Sequence, residues 1–537
     1  MRAAARNRIE KLARETFGWP RLRPGQLEAV QSLTRGRDTL VVMTTGSGKS
    51  AIYQLAGCLI DGATLVISPL ISLQRDQLEG LEEELPGEAT ALDASATERQ
   101  RAERLAGLGD EIEFMFMAPE QLGREETVAK LAEAGISLVV VDEAHCISEW
   151  GHDFRPDYLR LGAVVAALGH PTVLALTATA SPPVRDEIVQ RLRMQEPELI
   201  VRGFDRPNIA LAVERFRDDR DKRRALLDHV ERARGPGIVY AATRRAAEEI
   251  AGELEARGLK ARAYHAGLGR RPRDDVQRAF MEDEIDVVVA TTAFGMGVDK
   301  PNVRFVLHHD PSDSIDSYYQ EIGRAGRDGE PAEAILFYRP EDIGVRRFFA
   351  GGGVDGETVQ RVAERIAGEN APLEPADLSE ELDVGPSKLM TALTRLEDVD
   401  AVEIRPDGRV RSLPADAEAI EQAMDGAEER RSFDRSRIEM MRGYAEHEHC
   451  RRAFVLSYFG EPFDRACGNC DNCRAGRGEA PPSAEPYAVG SAVQHEDWGA
   501  GVVQRYQGDA VVVLFDSVGY KTLSLELVSE RGLLEPV

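Results

Sequence analysis

The chain has 537 residues, 30% of them charged, and 93 Asp and Glu against 67 Lys and Arg leave a formal charge of −26. That length is too great for one core and predicts roughly three to five domains. The charge has the wrong sign for a protein that coats itself along a phosphate backbone, and no apolar run is long enough to suggest a membrane span.

The opening Met-Arg-Ala-Ala-Ala-Arg lacks an apolar signal core, so a cytoplasmic protein is expected. About ten strand-then-helix alternations fill residues 39 to 340 and predict parallel α/β architecture. The first set ends near Arg202; a second begins at Gly237-Ile238-Val239-Tyr240 and includes 285–290 and 305–309.

The apolar strand Thr39 to Met43 runs into Thr44-Thr45-Gly46-Ser47-Gly48-Lys49-Ser50, which opens a helical pattern. Small residues let backbone N–H groups approach phosphate oxygens, and the helix N-terminus adds its dipole. Lys49 would reach the β and γ phosphates of ATP, and the Ser50 hydroxyl would bind Mg²⁺. Met43 stands where the strict pattern has Gly, which fits a looser form of the loop. A Gly-Ser turn beside a lone Lys is the alternative.

After the apolar run Leu138 to Val141 comes Asp142-Glu143-Ala144-His145, and then Trp150, His152, Phe154, Arg155 and Tyr158. Asp142 at a strand end suits a Mg²⁺ partner, and Glu143 a base that orients the attacking water. His145 would equally well satisfy a core hydrogen bond. The aromatic and cationic residues that follow offer contacts to nucleic-acid bases, so an ATP sensor and a strand sensor share one stretch.

Further on, Gln320-Glu321-Ile322-Gly323-Arg324-Ala325-Gly326-Arg327 holds two arginines three residues apart, on one face if helical. Planar guanidinium groups suit a phosphoryl group in transfer; a surface pair in an Arg-rich chain is the alternative. Two sheets with one phosphate loop imply a cleft whose far wall supplies such cations. Three of the six cysteines, Cys467, Cys470 and Cys473, form C-x-x-C-x-x-C, with Cys450 upstream on the helical stretch Tyr444 to Phe459. Four thiolates suit structural Zn²⁺. A disulfide pair and an iron–sulfur cluster are the competing readings, and Cys58 and Cys146 read as small buried apolar residues.

These motifs resemble the RecQ family of superfamily 2 DNA helicases. Leu22-Arg23-Pro24-Gly25-Gln26 looks like its adenine-reading motif, with Trp19, Arg23 and Gln26 at matching spacing. Ser68 to Leu73, Met117 to Glu120 and Leu176 to Ala180 resemble first-lobe motifs; Tyr264 to Leu268, Ala293 to Lys300 and the Gln320 segment resemble second-lobe motifs. Residues 146–158 resemble the loop that couples DNA binding to ATP hydrolysis, and Cys450-Arg451-Arg452 with Tyr458-Phe459-Gly460-Glu461 resembles the stretch that precedes the family's zinc site. Leu22 replaces the usual Phe, and Glu149 a common Gln. The resemblance covers 1 to about 349 and 435 to 475.

It implies two RecA-like parallel-sheet lobes at 1–204 and 205–349, and a helical zinc-binding module at 435–475. It implies Gly297, Asp299 and Gln320 as further nucleotide-site residues, Arg327 as arginine finger, Arg324 as its phosphate-binding neighbour, and Trp150, His152, Phe154 and Arg155 as DNA contacts.

Between them, 350–434 reads as a winged-helix-like insert: helix Ala376 to Leu382, turn, helix Lys388 to Leu396, and hairpin Val402 to Leu413. Its place before the cysteines is unusual for the family, and Arg405, Arg409 and Arg411 on the hairpin are candidates for the strand-separating role; a packing module is the alternative. Residues 351–440 hold 11 Lys and Arg against 22 Asp and Glu, which argues against DNA binding there. After a linker at 476–486, residues 487–537 read as a small SH3- or Tudor-like barrel with Val493, His495, Trp498, Gly499 and Gly501 in its first pattern.

The expectation is an ATP- and Mg²⁺-dependent, zinc-containing 3′→5′ DNA helicase of DNA repair or recombination. It would act as a monomer on single-stranded and forked DNA, with a protein partner through the barrel. With 59 Arg and 8 Lys it reads as a product of a GC-rich bacterial genome, located in the cytoplasm at the nucleoid. The rivals are an RNA helicase and a translocase or scaffold that hydrolyses ATP without unwinding.

Overall fold

The structure is a computed structural model that describes residues 2–44, 46–69, 78, 81, 84–85, 89–92, 98–109, 111–148, 154–295, 298–350, 354–369, 371–405, 408–461, 463, 465–478, 486–507 and 509–537. The chain divides into two units: Met1–Gly203 with Val354–Glu428, and Phe204–Gly353 with Glu429–Val537.

The first unit is built on strands β1 (Thr39–Met43), β2 (Ala63–Ile67), β3 (Ala89–Leu92), β4 (Phe114–Met117), β5 (Ile136–Val141), β6 (Thr172–Thr177) and β7 (Glu198–Arg202), in the order β3-β4-β2-β5-β6-β1-β7. Every pairing is parallel. β1, β2 and β4 are buried along their whole length, as continuous apolar runs covered on both faces must be. In an open parallel sheet, the loops at the carboxyl ends of the strands share one edge. That edge receives the phosphate loop after β1, Asp142 after β5 and Thr177 to Thr179 at the end of β6, which lies between them.

The second unit repeats the plan with β8 (Ile209–Arg215), β9 (Gly237–Tyr240), β10 (Ala261–Tyr264), β11 (Val287–Ala290), β12 (Phe305–His308) and β13 (Ala332–Tyr338), ordered β10-β11-β9-β12-β13-β8 and all parallel. Two RecA-like parallel-sheet lobes are therefore present.

Residues 354–428 belong with the first unit although they follow the second sheet in sequence. Helices Gly356–Ile366, Pro375–Leu382 and Pro386–Asp398 enclose Val359, Val362, Leu378, Leu389, Leu393 and Leu396 together with the antiparallel hairpin β14 (Val402–Ile404) and β15 (Val410–Ser412). Leu373 adds a bridge to Val410. The hairpin arginines, read from sequence as candidates for splitting a duplex, each face a carboxylate: Arg405 meets Glu125 at 3.4 Å, Arg409 meets Glu374 at 2.8 Å and Arg411 meets Glu403 at 3.7 Å.

Cys450 does not lie inside a continuous helix Tyr444 to Phe459. The long helix Ala417–Glu446 ends first, and Cys450 caps the next one, Arg451–Tyr458. In the second unit the following residues fasten this module to the lobe. Arg452 pairs with Asp205 at 2.6 Å and donates to the Ile209 carbonyl at 2.7 Å. Phe459 stacks on Phe204 with centroids 4.5 Å apart, and Glu461 accepts the Phe204 N–H at 2.9 Å.

The terminal residues form an antiparallel sheet of β16 (Ala492–His495), β17 (Gly499–Gln507), β18 (Ala510–Phe515), β19 (Gly519–Ser524) and β20 (Glu535–Pro536), ordered β19-β18-β17-β16-β20. The four expected strands are present, and β20 joins them. Among the described residues β19 and β20 do not pair, so the sheet is open rather than closed into a barrel. Trp498 stacks on His495 with centroids 4.1 Å apart.

This sheet is seated on the zinc-module helices. The Tyr520 N–H donates to Ser436 at 3.1 Å, and the buried Arg505 guanidinium stands 3.5 Å from the Phe454 ring centroid and donates to the Phe454 carbonyl at 3.3 Å. Burial pulls the Arg505 guanidinium down to about 9, still charged at neutral pH. Arg505→Ala removes a desolvated cation–π contact and its stem packing, so it is expected to destabilise the second unit by roughly 2 kcal/mol. Thermal denaturation measures this; an unchanged midpoint would show that the terminal sheet is not held through Arg505.

Candidate ATPase site and metal centre

The phosphate loop is held by its own neighbours. Lys49 Nζ donates to the carbonyls of Met43 at 2.9 Å and Thr44 at 3.3 Å, which aims it back across the loop. Gly46 and Gly48 have φ of 77° and 80°, where a Cβ is strained; at Gly48 a Cβ would also come within 2.7 Å of the Gln26 amide. Gln26 donates to the Gly48 carbonyl at 2.8 Å and accepts the Arg23 N–H at 2.7 Å, while the Arg23 guanidinium donates to the Gly46 carbonyl. Arg23 and Gln26, read as adenine contacts, thus brace the phosphate loop itself. Trp19 stacks on Phe17 at 4.7 Å against the core of the lobe. The buried Ser47 hydroxyl meets no partner among the described residues, a donor suited to a phosphate oxygen. Thr45 lies outside the described residues.

Asp142 is buried where β5 ends, and its carboxylate accepts the Glu143 N–H at 3.0 Å. Burial first, and then the Asp142 charge, raise the phenol of fully buried Tyr53 far above its ordinary range. Glu143 has φ of 48°, a conformation that turns the chain sharply and costs of order 1–3 kcal/mol. His145 lies 3.3 Å from the Glu143 carboxylate and 3.0 Å from the Thr177 hydroxyl, which donates on to the Thr179 carbonyl. Burial opposes protonation of His145, and the Cys146 sulfur and Glu143 outweigh it, which holds the imidazole well above its ordinary value. His145 is thus the joint between the acidic motif and the end of β6, a stronger role than core filling.

Trp150 and His152 lie outside the described residues. Phe154 and Arg155 follow them, and Arg155 donates to the Pro69 carbonyl at 3.1 Å at the end of β2. Tyr158, fully buried, donates its hydroxyl to the Asp142 carbonyl at 3.1 Å. The sequence reading noted Tyr158 only as part of an aromatic stretch; the structure ties its hydroxyl to the main chain of Asp142.

In the second unit, helix Ile315–Ile322 stops before the arginines, so Arg324 and Arg327 stand on turns rather than a helix face. Gly326, φ 57°, makes the turn; Arg206 donates to the carbonyls of Gly323, Ala325 and Gly326 and holds it in shape. Arg324 donates to the Gly295 carbonyl and Arg327 to Asp299. Burial, then the charge of Arg324, pull the Arg327 guanidinium below its ordinary value. Gln320 sits on the helix before the turn, and Gly297 lies outside the described residues.

The sulfur atoms of Cys450, Cys467, Cys470 and Cys473 all lie within 4.8 Å of one another. A tetrahedral ion with Zn–S bonds of about 2.3 Å places its sulfurs about 3.8 Å apart; Cys467 and Cys473 are 3.8 Å apart. No disulfide joins these cysteines. Hydrogen bonds from Cys450 and Cys467 hold the Cys470 thiol far below its ordinary value, and the same contacts push Cys467 up. Four crowded sulfurs that cannot all ionise alone fit a divalent cation. Asp471 and Asn472, not picked out from sequence, tie the cysteine segment down: Arg451 meets Asp471 at 2.6 Å, Asp471 accepts the Val213 N–H at 3.0 Å, and Asn472 donates to the carbonyls of His447 and His449 at 3.0 and 2.7 Å.

Models of three protein families match: DEAD/DEAH box helicase over residues 23–188, helicase conserved C-terminal domain over 221–329, and RecQ zinc-binding over 414–474. The probable ATP-dependent DNA helicase RecS of Bacillus subtilis is 34% identical over 470 residues, which is 87% of this chain and 92% of RecS. The chain belongs to the RecQ family of ATP-dependent DNA helicases. The ATP-dependent DNA helicase RecQ of Pasteurella multocida is 37% identical over 85% of this chain but only 61% of its own length. The RecQ relative thus carries sequence with no counterpart here.

Among solved structures, Mycobacterium smegmatis helicase Lhr, bound to single-stranded DNA and AMP-PNP, superposes with TM-score 0.50 at 22% identity over 79% of this chain and 62% of its own. The helicase MrfA bound to DNA gives 0.53 at 17% over 77% and 63%. Both share the fold. ATP and Mg²⁺ for the first unit and Zn²⁺ for the four cysteines are the cofactors of this family member.

Proposed function

We propose that this RecQ-family enzyme is a 3′→5′ helicase that couples ATP hydrolysis to movement along single-stranded DNA and to opening of forked DNA, in repair or recombination. The Tyr158 hydrogen bond to Asp142 carries the reading, because it ties the residue at the metal end of the ATP site to the segment that begins with Phe154 and Arg155. In this scheme Lys49 binds the β and γ phosphates, and Ser50 and Asp142 hold the Mg²⁺ that neutralises phosphate charge. Glu143 takes the proton of the attacking water, and Arg327 is the arginine finger with Arg324 beside it. Gly297, Asp299 and Gln320 complete the nucleotide contacts, Trp19 with Arg23 and Gln26 faces the base, and Trp150, His152, Phe154 and Arg155 meet the DNA strand.

The domain limits 1–204, 205–349, 350–434, 435–475 and 487–537 are part of this proposal. So are a winged-helix identity for the 350–434 insert, a barrel-like identity for the terminal sheet, a protein partner for that sheet, a monomeric state and a location at the bacterial nucleoid. The hairpin ion pairs favour one second reading, a DNA translocase that does not unwind.

ATP turnover measured with single-stranded DNA and with RNA separates the nucleic acids; stimulation is expected with DNA, and stronger stimulation by RNA would sink the DNA reading. A forked duplex with a 3′ single-stranded arm is expected to open in the presence of ATP. DNA-stimulated turnover without strand separation would select the translocase.

A further inference from the structure

The inserted element meets two helices that touch the acidic motif. On one side, helix Pro182–Arg191 packs on the short turn Ala144–Ile147, and its Glu187 accepts the Ser148 hydroxyl at 2.5 Å. That helix ends at Arg191, whose guanidinium meets Asp398 of the insert at 2.7 Å. On the other side, helix Pro156–Leu159 carries Tyr158, the hydroxyl of which donates to Asp142. The next residue but one, Arg160, lies against the insert hairpin: a Cβ on Gly408 would stand 3.4 Å from its guanidinium.

The helix that follows, Leu161–Ala167, packs directly on the end of helix Pro182–Arg191, since a Cβ on Gly162 would come within 2.1 Å of the Arg191 carbonyl. A cleft of about 370 Å³ lined by Arg160, Gly162, Arg191, Glu397, Asp398 and Ile404 separates insert from lobe. Within the insert, Glu397 accepts the Ile404 N–H at 3.0 Å, and Asp398 is fixed from its own helix by Arg395 at 3.2 Å.

We propose that the insert is a positioning clamp for the coupling segment: by holding Arg191 and Arg160 together it sets where Ser148 and Tyr158 stand relative to Asp142. Its own charge opposes a role in binding phosphate, because residues 354–428 hold 19 Asp and Glu against 7 Lys and Arg. What it offers instead is rigidity. Asp398 is the positioning residue, because its carboxylate pairs across to a helix that touches the acidic motif. This inference rests on the reading of the protein as a DNA-stimulated ATPase.

The test uses the full-length protein and measures ATP turnover without DNA and across a titration with an oligo-dT strand. Asp398→Arg places like charges at the joint. Basal turnover and zinc content are expected to stay as in the parent, while the DNA concentration for half-maximal stimulation rises on the order of fivefold, the size expected for a residue that tunes coupling without touching either ligand. Arg191→Asp in the same chain reverses the pair and is expected to restore the parent value. Asp398→Asn, which keeps shape and removes charge, gives an intermediate shift and guards against misfolding of the reversal.

Parent-like DNA dependence in both Asp398 variants would overturn the clamp and leave the ATPase reading intact. So would a loss of basal and stimulated turnover in equal proportion, or failure of the charge swap to rescue. If the parent protein itself shows no stimulation by DNA, it is the underlying functional reading that falls.

Discussion

Lys49→Ala is expected to reduce ATP turnover at least about 100- to 1000-fold, the usual cost of one preorganised charge stabiliser at a reacting oxyanion, and to leave single-strand binding in place. The structure supplies the reason. Lys49 Nζ rests on two neutral carbonyls, those of Met43 and Thr44. An ionised phosphate oxygen is a better acceptor, with charge-assisted hydrogen bonds roughly twice as strong as neutral ones. The lysine is therefore positioned before substrate arrives and has little to reorganise.

DNA binding is expected to survive because the loop is braced independently by Gln26 on the Gly48 carbonyl. Lys49→Arg, which keeps the charge but not the compact ammonium, should remain strongly impaired. Turnover by phosphate release and binding to a fluorescent oligonucleotide are the two measurements. Retained turnover in Lys49→Ala would refute the phosphate-loop assignment.

Cys470→Ser is expected to drop bound zinc from about one per chain to near zero and to lower soluble yield and the thermal midpoint. Structural zinc in isolated finger peptides contributes about 10–16 kcal/mol of apparent binding energy, which is folding energy where no site exists beforehand. Cys470 is fully buried, and the residues beside it are tied into the lobe: Leu211 bridges Cys470 in parallel, and Asp471 accepts the Val213 N–H. Loss of the ion would therefore loosen β8, the edge strand of the second sheet, as well as the module that carries the cysteines. Metal analysis of the purified protein checks the first part and thermal unfolding the second. A parent protein without zinc would end the four-thiolate assignment, and so would a Cys470→Ser protein that keeps it.

Much of this was legible from the residues in order. The phosphate loop, the acidic motif and the cysteine triplet work through spacings of a few residues, and such spacings pass unchanged from chain to fold. The continuous apolar runs at 39–43 and 138–141 announced buried parallel strands for the same reason. Whether Gln320 to Arg327 is helical was left open by the sequence, and the chain turns at Gly326 under Arg206, a residue more than a hundred positions earlier. What misled was local extrapolation. The continuous helix through Cys450 failed because metal ligands need a break to converge. A closed barrel was expected from strand patterns alone, yet closure depends on whether the two edge strands meet, which no local pattern encodes.

The sequence by itself determined the two parallel sheets and singled out the candidate side chains for phosphate, magnesium and zinc. Contacts between distant segments were decided only by tertiary structure. It returned residues 354–428 to the first unit and placed Asp398 against Arg191. It joined Tyr158 to Asp142, and Arg452 and Glu461 to the strand that opens the second lobe. Several of these residues stand in motifs the sequence shows, but nothing in the sequence names the partner of any of them. Its partner is set by how whole elements pack, and the apolar cores that fix that packing tolerate many sequences, so the chain order alone could not announce them.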